Sequence, residues 1–552
     1  RNRRDELERT AATLAQAVAQ AESFSGAAAS FDPRIIEALV DSIVRMFDLR
    51  NGGFGRAPKF PHPAALDLIL ERYQATREPQ LLTVVETTLE KMACGGVYDQ
   101  LAGGFHRYSV DEHWRVPHFE KMSYDNSELL KNYLHAWQVT GQALFRETAE
   151  GIISWVNEVL SDQSRGGFYT SQDADFSLED DGDYFTWTLD EIRAALTPQE
   201  ARVIELYYDV VARGEMHHNP AKNVLWVARS TEEVSKQLGK MESDVRLLLA
   251  GARGKLLAAR LARPTPAVDT TLYVSWNAMF VSAFLDAARA LAREDCRRFA
   301  LKTLDRILAE AWSDEKGFAH RVGAPRLDGA LDDQVFAAVA LLDAYEVTLD
   351  RRYFDRAETT MRLVLEKYWD EQAGGLFDRA HDAAPLGGLD IRRKPLQDSP
   401  TPGANSIAAI ALSRLYGFTG NALYRQRAGQ TLDAFAGVVP QFGLFAASYG
   451  LAALLHARHP MQVVVTGAAG DPAAEKLVQA AVGVFRYGKA VLRIIPQSGI
   501  PALAPALQQT LPHLRADIPQ ALVCVDRHCL PPTSDPERLA ASLENIDARS
   551  AN

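Results

Sequence analysis

The sequence predicts an all-α protein, an (α/α)6 barrel of six helical hairpins closed into a toroid, with a small α/β region at its C-terminal end. Three observations predict it. Six segments share a turn followed by an aromatic or apolar residue: FDLRNGGFG (47–55), YDQLAGGFHRY (98–108), SDQSRGGFYTS (161–171), SDEKGFAHR (313–321), WDEQAGGLFDR (369–379) and PQFGLFAAS (440–448). Each follows an amphipathic stretch of helical length, such as IIEALVDSIVRMF, LLTVVETTLEKMA, FALKTLDRILAEAW or RAETTMRLVLEKYW, with apolar residues at i, i+3, i+4 and i+7. Each precedes a second, more apolar stretch, namely AALDLILERY, SELLKNYLHAW, SWNAMFVSAFLDAARAL, DDQVFAAVALLDAYEV, NSIAAIALSRLY and SYGLAALLHA. The first set reads as outer helices and the second as inner ones, and a repeated supersecondary unit decides the architecture.

In chain order, residues 1–30 open on RNRRDELERTAATLAQ, a charged helical linker rather than a signal peptide, and the barrel spans 31–458. Short turns such as TLDRRY and TGNALY join each inner helix to the next outer one. The third loop is about 90 residues longer than its neighbours suggest and carries an insertion at about 171–266, expected to wall or lid a pocket. From 459 to 552 the pattern changes to MQVVVTG, a helix, AVLRIIP and ALVCV, a small α/β appendage read as packing structure. Its TGAAGD lacks GK[ST] and is no P-loop. Every long loop precedes an inner helix, so all six must gather at one end of the barrel. There the inner-helix N-termini favour carboxylates or anionic ligand groups.

With 552 residues, 47% hydrophobic and 24% charged, the chain is globular. A net charge of −11 and a pI near 5.7 argue against nucleic acid or an anionic membrane surface. No apolar run reaches bilayer length, so a cytoplasmic protein is expected; Arg1 stands where a natural chain has Met, which leaves room for a targeting signal upstream. Cys94, Cys296, Cys524 and Cys529 form no C-x-x-C and are read as buried free thiols.

The loop GGFHRYSVDEHWRVPHFEKM (103–122) carries the densest chemistry. His118 can exchange a proton near neutral pH, with Glu120 orienting it or acting as the base. A buried polar network that merely fixes the loop is an equal reading. Asp173 and Asp175 in SQDAD are leaned towards the pocket, and Asp332 towards a helix cap, with Asp333 beside it as a possible second carboxylate for glycoside hydrolysis. Arg56, Lys59, His106, Arg107, Tyr108 and Lys121 are expected ligand contacts from loops one and two. Trp114, Trp187 and Trp276, with Tyr124 and Asn277, offer flat faces and polar donors suited to a sugar ring. Asp125 and Glu128 have capping-box spacing at inner helix two, beside Asn126. His106, His113 and His118 lack metal-site spacing, so neither a metal nor a cofactor is expected.

The segments GGFGRAPKFPHP, GGFHRYSVDEHWRVPHFEKMSYDN, GGFYTSQDAD, SWNA, TPGANS and ALVCVDRHC resemble the thioredoxin-domain-containing proteins of the YyaL and spermatogenesis-associated protein 20 type, from about Phe31 to Leu543. The resemblance implies a barrel like that of N-acylglucosamine 2-epimerase and the six-hairpin glycosidases. Members begin with a thioredoxin-like domain bearing a cysteine motif; this sequence does not contain it, so no redox activity carries over. The family's Asp-Asp-Lys reads Asp269, Thr270, Thr271 here, its Glu-Gly-x-aromatic-Tyr-x-Trp reads Asp181 to Trp187, and its Asp-Tyr reads Asp333 and Gln334. These departures put a shared substrate in doubt.

Three functions follow as expectations, all with a small carbohydrate-like ligand and neither nucleic acid nor membrane as partner. One is a cofactor-independent sugar epimerase or isomerase using histidine and carboxylate. The second is a glycoside hydrolase with paired carboxylates. The third is a non-catalytic binding or scaffold module.

Overall fold

The computed structural model describes residues 28–546 except 178–179, 384–391, 496–514, 516–517 and 527, with scattered positions before 28. Most of the expected N-terminal helical linker therefore lies outside the described residues.

The hairpins form where the apolar period asks for them. Outer helices α1 (Arg34–Met46), α3 (Pro79–Cys94), α5 (Ala143–Val159), α11 (Glu294–Ala311), α13 (Arg351–Lys367) and α15 (Ala422–Asp433) alternate with inner helices. The inner ones are α2 (Pro63–Thr76), α4 (Ser123–Thr140), α10 (Val274–Ala290), α12 (Leu331–Thr348), α14 (Ala404–Thr419) and α16 (Ala447–Ala457). Between α5 and α10 the insertion supplies α6 (Leu189–Ala195), α7 (Pro198–Tyr207), α8 (Thr231–Leu238) and α9 (Glu242–Leu261). Helix α13 shows the outer type: Phe354, Ala357, Met361 and Val364 are buried on one stripe and charged residues face outwards. Helix α12 shows the inner type, buried on nearly every side from Leu331 to Glu346. Each inner helix packs on the next, α2 on α4, α4 on α10, α10 on α12, α12 on α14, α14 on α16, and α16 back on α2, which closes the ring. The fold is thus an (α/α)6 barrel.

Two devices repeat around the ring and explain the motif. In the first, an amide side chain on the first turn of an inner helix grips the backbone of the loop's aromatic or apolar residue in both directions. Phe105 N–H donates to Asn126 Oδ1 at 2.6 Å while Asn126 Nδ2 donates to the Phe105 carbonyl at 2.9 Å. Asn277 does the same to Phe168 (2.7 and 3.0 Å), Gln334 to Phe318 (2.8 and 2.8 Å) and Asn405 to Leu376 (2.7 and 2.9 Å). In the second, a cation locks the turn by binding its aspartate and a glycine carbonyl together. Lys59 bridges Asp48 (2.6 Å) and Gly52 (2.7 Å), and Lys121 bridges Asp99 (2.8 Å) and Gly103 (2.9 Å). Lys394 bridges Asp370 (2.8 Å) and Gly374 (2.7 Å), and in loop three Arg306 reaches from α11 to Asp162 (3.0 Å) and Gly166 (2.5 Å). Gly52 and Gly103 sit at φ +69° and +80°, where a side chain would be strained, and a Cβ on Gly103 would lie 2.2 Å from the Gly151 carbonyl oxygen.

The insertion has its own core around Ile192, Ile204, Val234 and Val245. The C-terminal region forms a four-stranded sheet of β1 (Met461–Thr466), β2 (Ala490–Ile494), β3 (Gln520–Val525) and β4 (His528–Cys529) in the order β2-β1-β3-β4. Strand β1 runs parallel to β2 and antiparallel to β3, and α17 (Pro472–Gly483) and α18 (Pro536–Glu544) pack beside the sheet. Among the described residues no helix is long and apolar enough to cross a membrane.

Three local readings are corrected. Cys524 and Cys529 are bridged by a disulfide across the β3–β4 hairpin, because the ladder pairs these two residues directly; Cys94 and Cys296 are free. Helix α4 starts at Ser123 with no side-chain cap at Met122, so Asp125 stands inside the first turn and no Asp125–Glu128 capping box forms. At α12 it is Asp333, not Asp332, whose carboxylate accepts the Ala330 N–H (2.9 Å).

Candidate active site at the barrel mouth

The first turns of the inner helices converge on one end, and the groups near them form two clusters. In the first, a pocket of about 300 Å³ is lined by Trp276, His320, Asp332, Asp333, Phe336 and the 399–404 segment. Asp333 is fully buried, and its carboxylate is committed to Ser275 N–H (3.1 Å), Ala330 N–H (2.9 Å) and the His320 ring (2.9 Å). A carboxylate can only accept there, so His320 Nδ1 carries a proton towards Asp333 and this bond leaves Nε2 unengaged. This hydrogen bond raises the His320 pKa above its ordinary value. Asp332 accepts only from its own backbone N–H. Burial, with the Asp333 charge next to it, pushes its carboxyl up to about 6. Trp276 stands beside Tyr273 (ring centres 5.1 Å apart) and Tyr124 (4.9 Å), and Tyr273 lies 4.9 Å from the His320 ring.

A second cluster comes from loops one and two. His118 lies edge-on to Tyr108 (5.2 Å), which stacks on Phe60 (4.9 Å); Tyr108 and His118 are partners in a two-residue ladder. Arg107 reaches Glu120 at 3.2 Å and bonds Tyr124, so Glu120 and Asp125 share its charge. Asp125, sunk at the helix start, has its carboxyl pushed well up by burial. Asp175 accepts the Gly182 N–H (2.8 Å), and burial raises its carboxyl in spite of His118 nearby.

Several residues expected at the ligand are placed elsewhere, and physical reasons are visible. Lys59, Lys121, Asn126 and Asn277 are buried in the turn locks and clamps described above, with their polar atoms bonded to backbone or aspartate. Trp114 is fully buried, its indole N–H donating to the Asn51 carbonyl (3.1 Å) and its ring packed on Gly53. Trp187 belongs to the insertion's core. His106 is buried between Phe119 and Phe185, bonded to the Phe119 carbonyl, and desolvation takes its pKa down to about 3. Arg56 and Asp173 are exposed, Arg56 in a hollow beside Asp48 and Glu112. Trp276 and Asp333 line the pocket, while Arg107, Glu120, Tyr124 and Asp125 form a cluster of their own that meets it where Tyr124 touches Trp276. Sequence reasoning took Asp332 for a helix cap and did not single out His320; the signal for Asp332 was the Asp-Asp doublet on the first turn of an inner helix, where one side chain caps and its neighbour points elsewhere.

No protein-family model matches the chain. Human spermatogenesis-associated protein 20 is 29% identical over 536 residues, covering 90% of this chain and 67% of that protein. The rat protein of the same name is 33% identical over 432 residues, covering 71% and 54%, so the chain spans between about half and two thirds of the relatives it matches. Among solved structures, the GH76 α-mannanase BT2949 of Bacteroides thetaiotaomicron matches at 10% identity and TM-score 0.45 over 77% of this chain and 95% of that one. Cellobiose 2-epimerase from Spirochaeta thermophila matches at 13% and 0.30 over 79% and 98%. Likeness at that level carries no statement about activity. The sequence relationship does identify kinship: the spermatogenesis-associated protein 20 chains are homologues of this chain.

Proposed function

We propose that this protein is a cofactor-independent sugar epimerase or isomerase, exchanging a proton at the carbon next to a sugar carbonyl, with Asp332 and His320 as the proton-transfer pair. The single observation that carries the reading is a carboxyl at about 6 beside a histidine held in one tautomer, both lining a pocket that includes an indole face. A group near the working pH is the most efficient general base, and a histidine of raised pKa can return a proton or polarise the carbonyl oxygen. Trp276 suits the apolar face of a sugar ring. His118 and Glu120 of loop two remain in the proposal as rim groups that orient the ligand, with Tyr108 and Arg107.

Glycoside hydrolysis is less favoured on the same geometry. It needs two carboxylates free to act, and of the two that line this pocket Asp333 is spent on three donors. The test is to incubate the protein in D2O with aldoses, ketoses and N-acyl hexosamines and follow deuterium beside the carbonyl by NMR. Exchange that falls at least 100-fold in Asp332→Asn, with the fold retained, is expected. Equal exchange in the variant, or none in the wild type, overturns the assignment.

A further inference from the structure

Below the mouth the barrel is not filled. A second cavity, of about 180 Å³, runs between the inner helices to the 482–491 segment of the C-terminal α/β region, and Phe336 and Pro402 line both spaces. At about 30 Å³ per water it has room for about six waters or one sugar-sized molecule. Its walls combine apolar side chains with charged ones, and most of the charged ones are paired. Lys131 faces Glu128 (2.7 Å), and His135 faces Asp67 (3.0 Å). Arg289 binds Asp286 (2.6 Å) and Glu346 (3.2 Å), and Arg414 binds Asp343 and Glu346 (both 2.7 Å). Lys489, at the far end, donates to the Ala481 and Val484 carbonyls, and burial brings it down to about 7, so it adds only part of a charge near neutral pH.

Such a lumen is a poor device for stability. Ion pairs taken out of water recover little more than their desolvation cost, and well-packed apolar side chains of the same volume do as well or better. It is a good device for hydroxyl groups. A paired carboxylate keeps unused lone pairs and a paired guanidinium keeps unused N–H groups, and each hydroxyl both donates and accepts. What the lumen cannot accommodate cheaply is a further unpaired charge, which would be desolvated without a counter-ion.

We infer that the lumen is part of the ligand site and selects neutral polyhydroxylated molecules, the open-chain or ring form of an uncharged sugar, against phosphorylated, acidic or amino sugars. This rests on the carbohydrate reading of the mouth and narrows it. It also makes the C-terminal α/β region the floor of the site, since Tyr487 and Lys489 line the cavity.

The experiment is calorimetric titration of the full chain with D-glucitol, D-glucose, glucose 6-phosphate, glucuronate and glucosamine, repeated on Glu346→Gln. The neutral compounds are expected to bind at least tenfold tighter than each charged one. Glu346→Gln removes one negative charge from the lumen, so the affinity ratio of glucuronate to glucitol should rise at least tenfold. A charged sugar that binds as well as the neutral ones, no binding by any of the five, or an unchanged ratio in a folded Glu346→Gln would overturn the inference. The two readings fail separately: neutral-sugar binding without Asp332-dependent exchange keeps this one and sinks the isomerase, whereas Asp332-dependent exchange on an acidic sugar does the reverse.

Discussion

A helix turns by about 100° per residue, so neighbouring side chains on its first turn leave in different directions. Asp333 leaves towards the backbone of Ser275 and Ala330 and towards His320, while Asp332 leaves towards the pocket. Their different titrations follow, and so does a pH profile. Asp332 must be ionised to act as a base, so kcat/KM should rise through an acid limb near pH 6, the value to which its carboxyl is pushed. His320 gives a second, signed expectation. Its pKa is raised by Asp333, so the pair's contribution to stability is fully present below the unfolded histidine value of about 6.5 and is lost as pH rises through the folded value. Asp333→Asn should therefore destabilise the fold more at pH 6 than at pH 8.5, measured by denaturant titration, and should lower the His320 titration midpoint seen by NMR. A midpoint unmoved by the substitution would contradict the pairing.

At the scale of the element, the long loops keep their shape through a few side chains that look like ligand contacts in the sequence. Asn126 and Asn277 stand at the head of inner helices, and Lys59 and Lys121 stand near the ends of polar loops. From spacing alone a polar residue at a barrel mouth reads equally as a sugar contact or a backbone clamp. The tertiary approach of loop to helix decides, because a buried N–H or C=O left unpaired is costlier than a solvent-facing one. Asn277→Ala removes both bonds to Phe168 and strands its backbone groups, so a loss of about 2–4 kcal/mol is expected by urea unfolding. A loss below about 0.5 kcal/mol would mean that water takes the amide's place.

At the scale of the molecule, the α/β region is tied to the barrel rather than hung from it. Glu71 on inner helix α2 is fully buried and is met by Arg458 and Arg486, while the Tyr487 N–H donates to it at 2.8 Å. Removing one charge from such a cluster leaves the others uncompensated, so Glu71→Gln should cost about 3 kcal/mol. It should speed amide exchange first in the stretch from Ala481 to Ile494. Uniform acceleration across the barrel instead would show that this contact is not where the two parts are joined.

The sequence by itself determined the architecture. Six turn motifs, each between an amphipathic and an apolar stretch, allow only helical hairpins, and the position of the long loops before the inner helices puts one end in charge of the chemistry. It also determined kinship and the concentration of titratable groups in residues 103–122. It did not determine which of those groups reach the ligand. Periodicity records which face of a helix is buried, but says nothing about what a buried polar atom finds there: Lys121 finds a turn, His106 a pair of phenylalanines, Asp333 a histidine from thirteen residues upstream. The disulfide hairpin, the lumen's paired charges and its floor from the C-terminal region are contacts between residues far apart in the chain or set by strand register. The closed ring, which brings six inner helices around one space, decides the lumen, and strand register decides the disulfide.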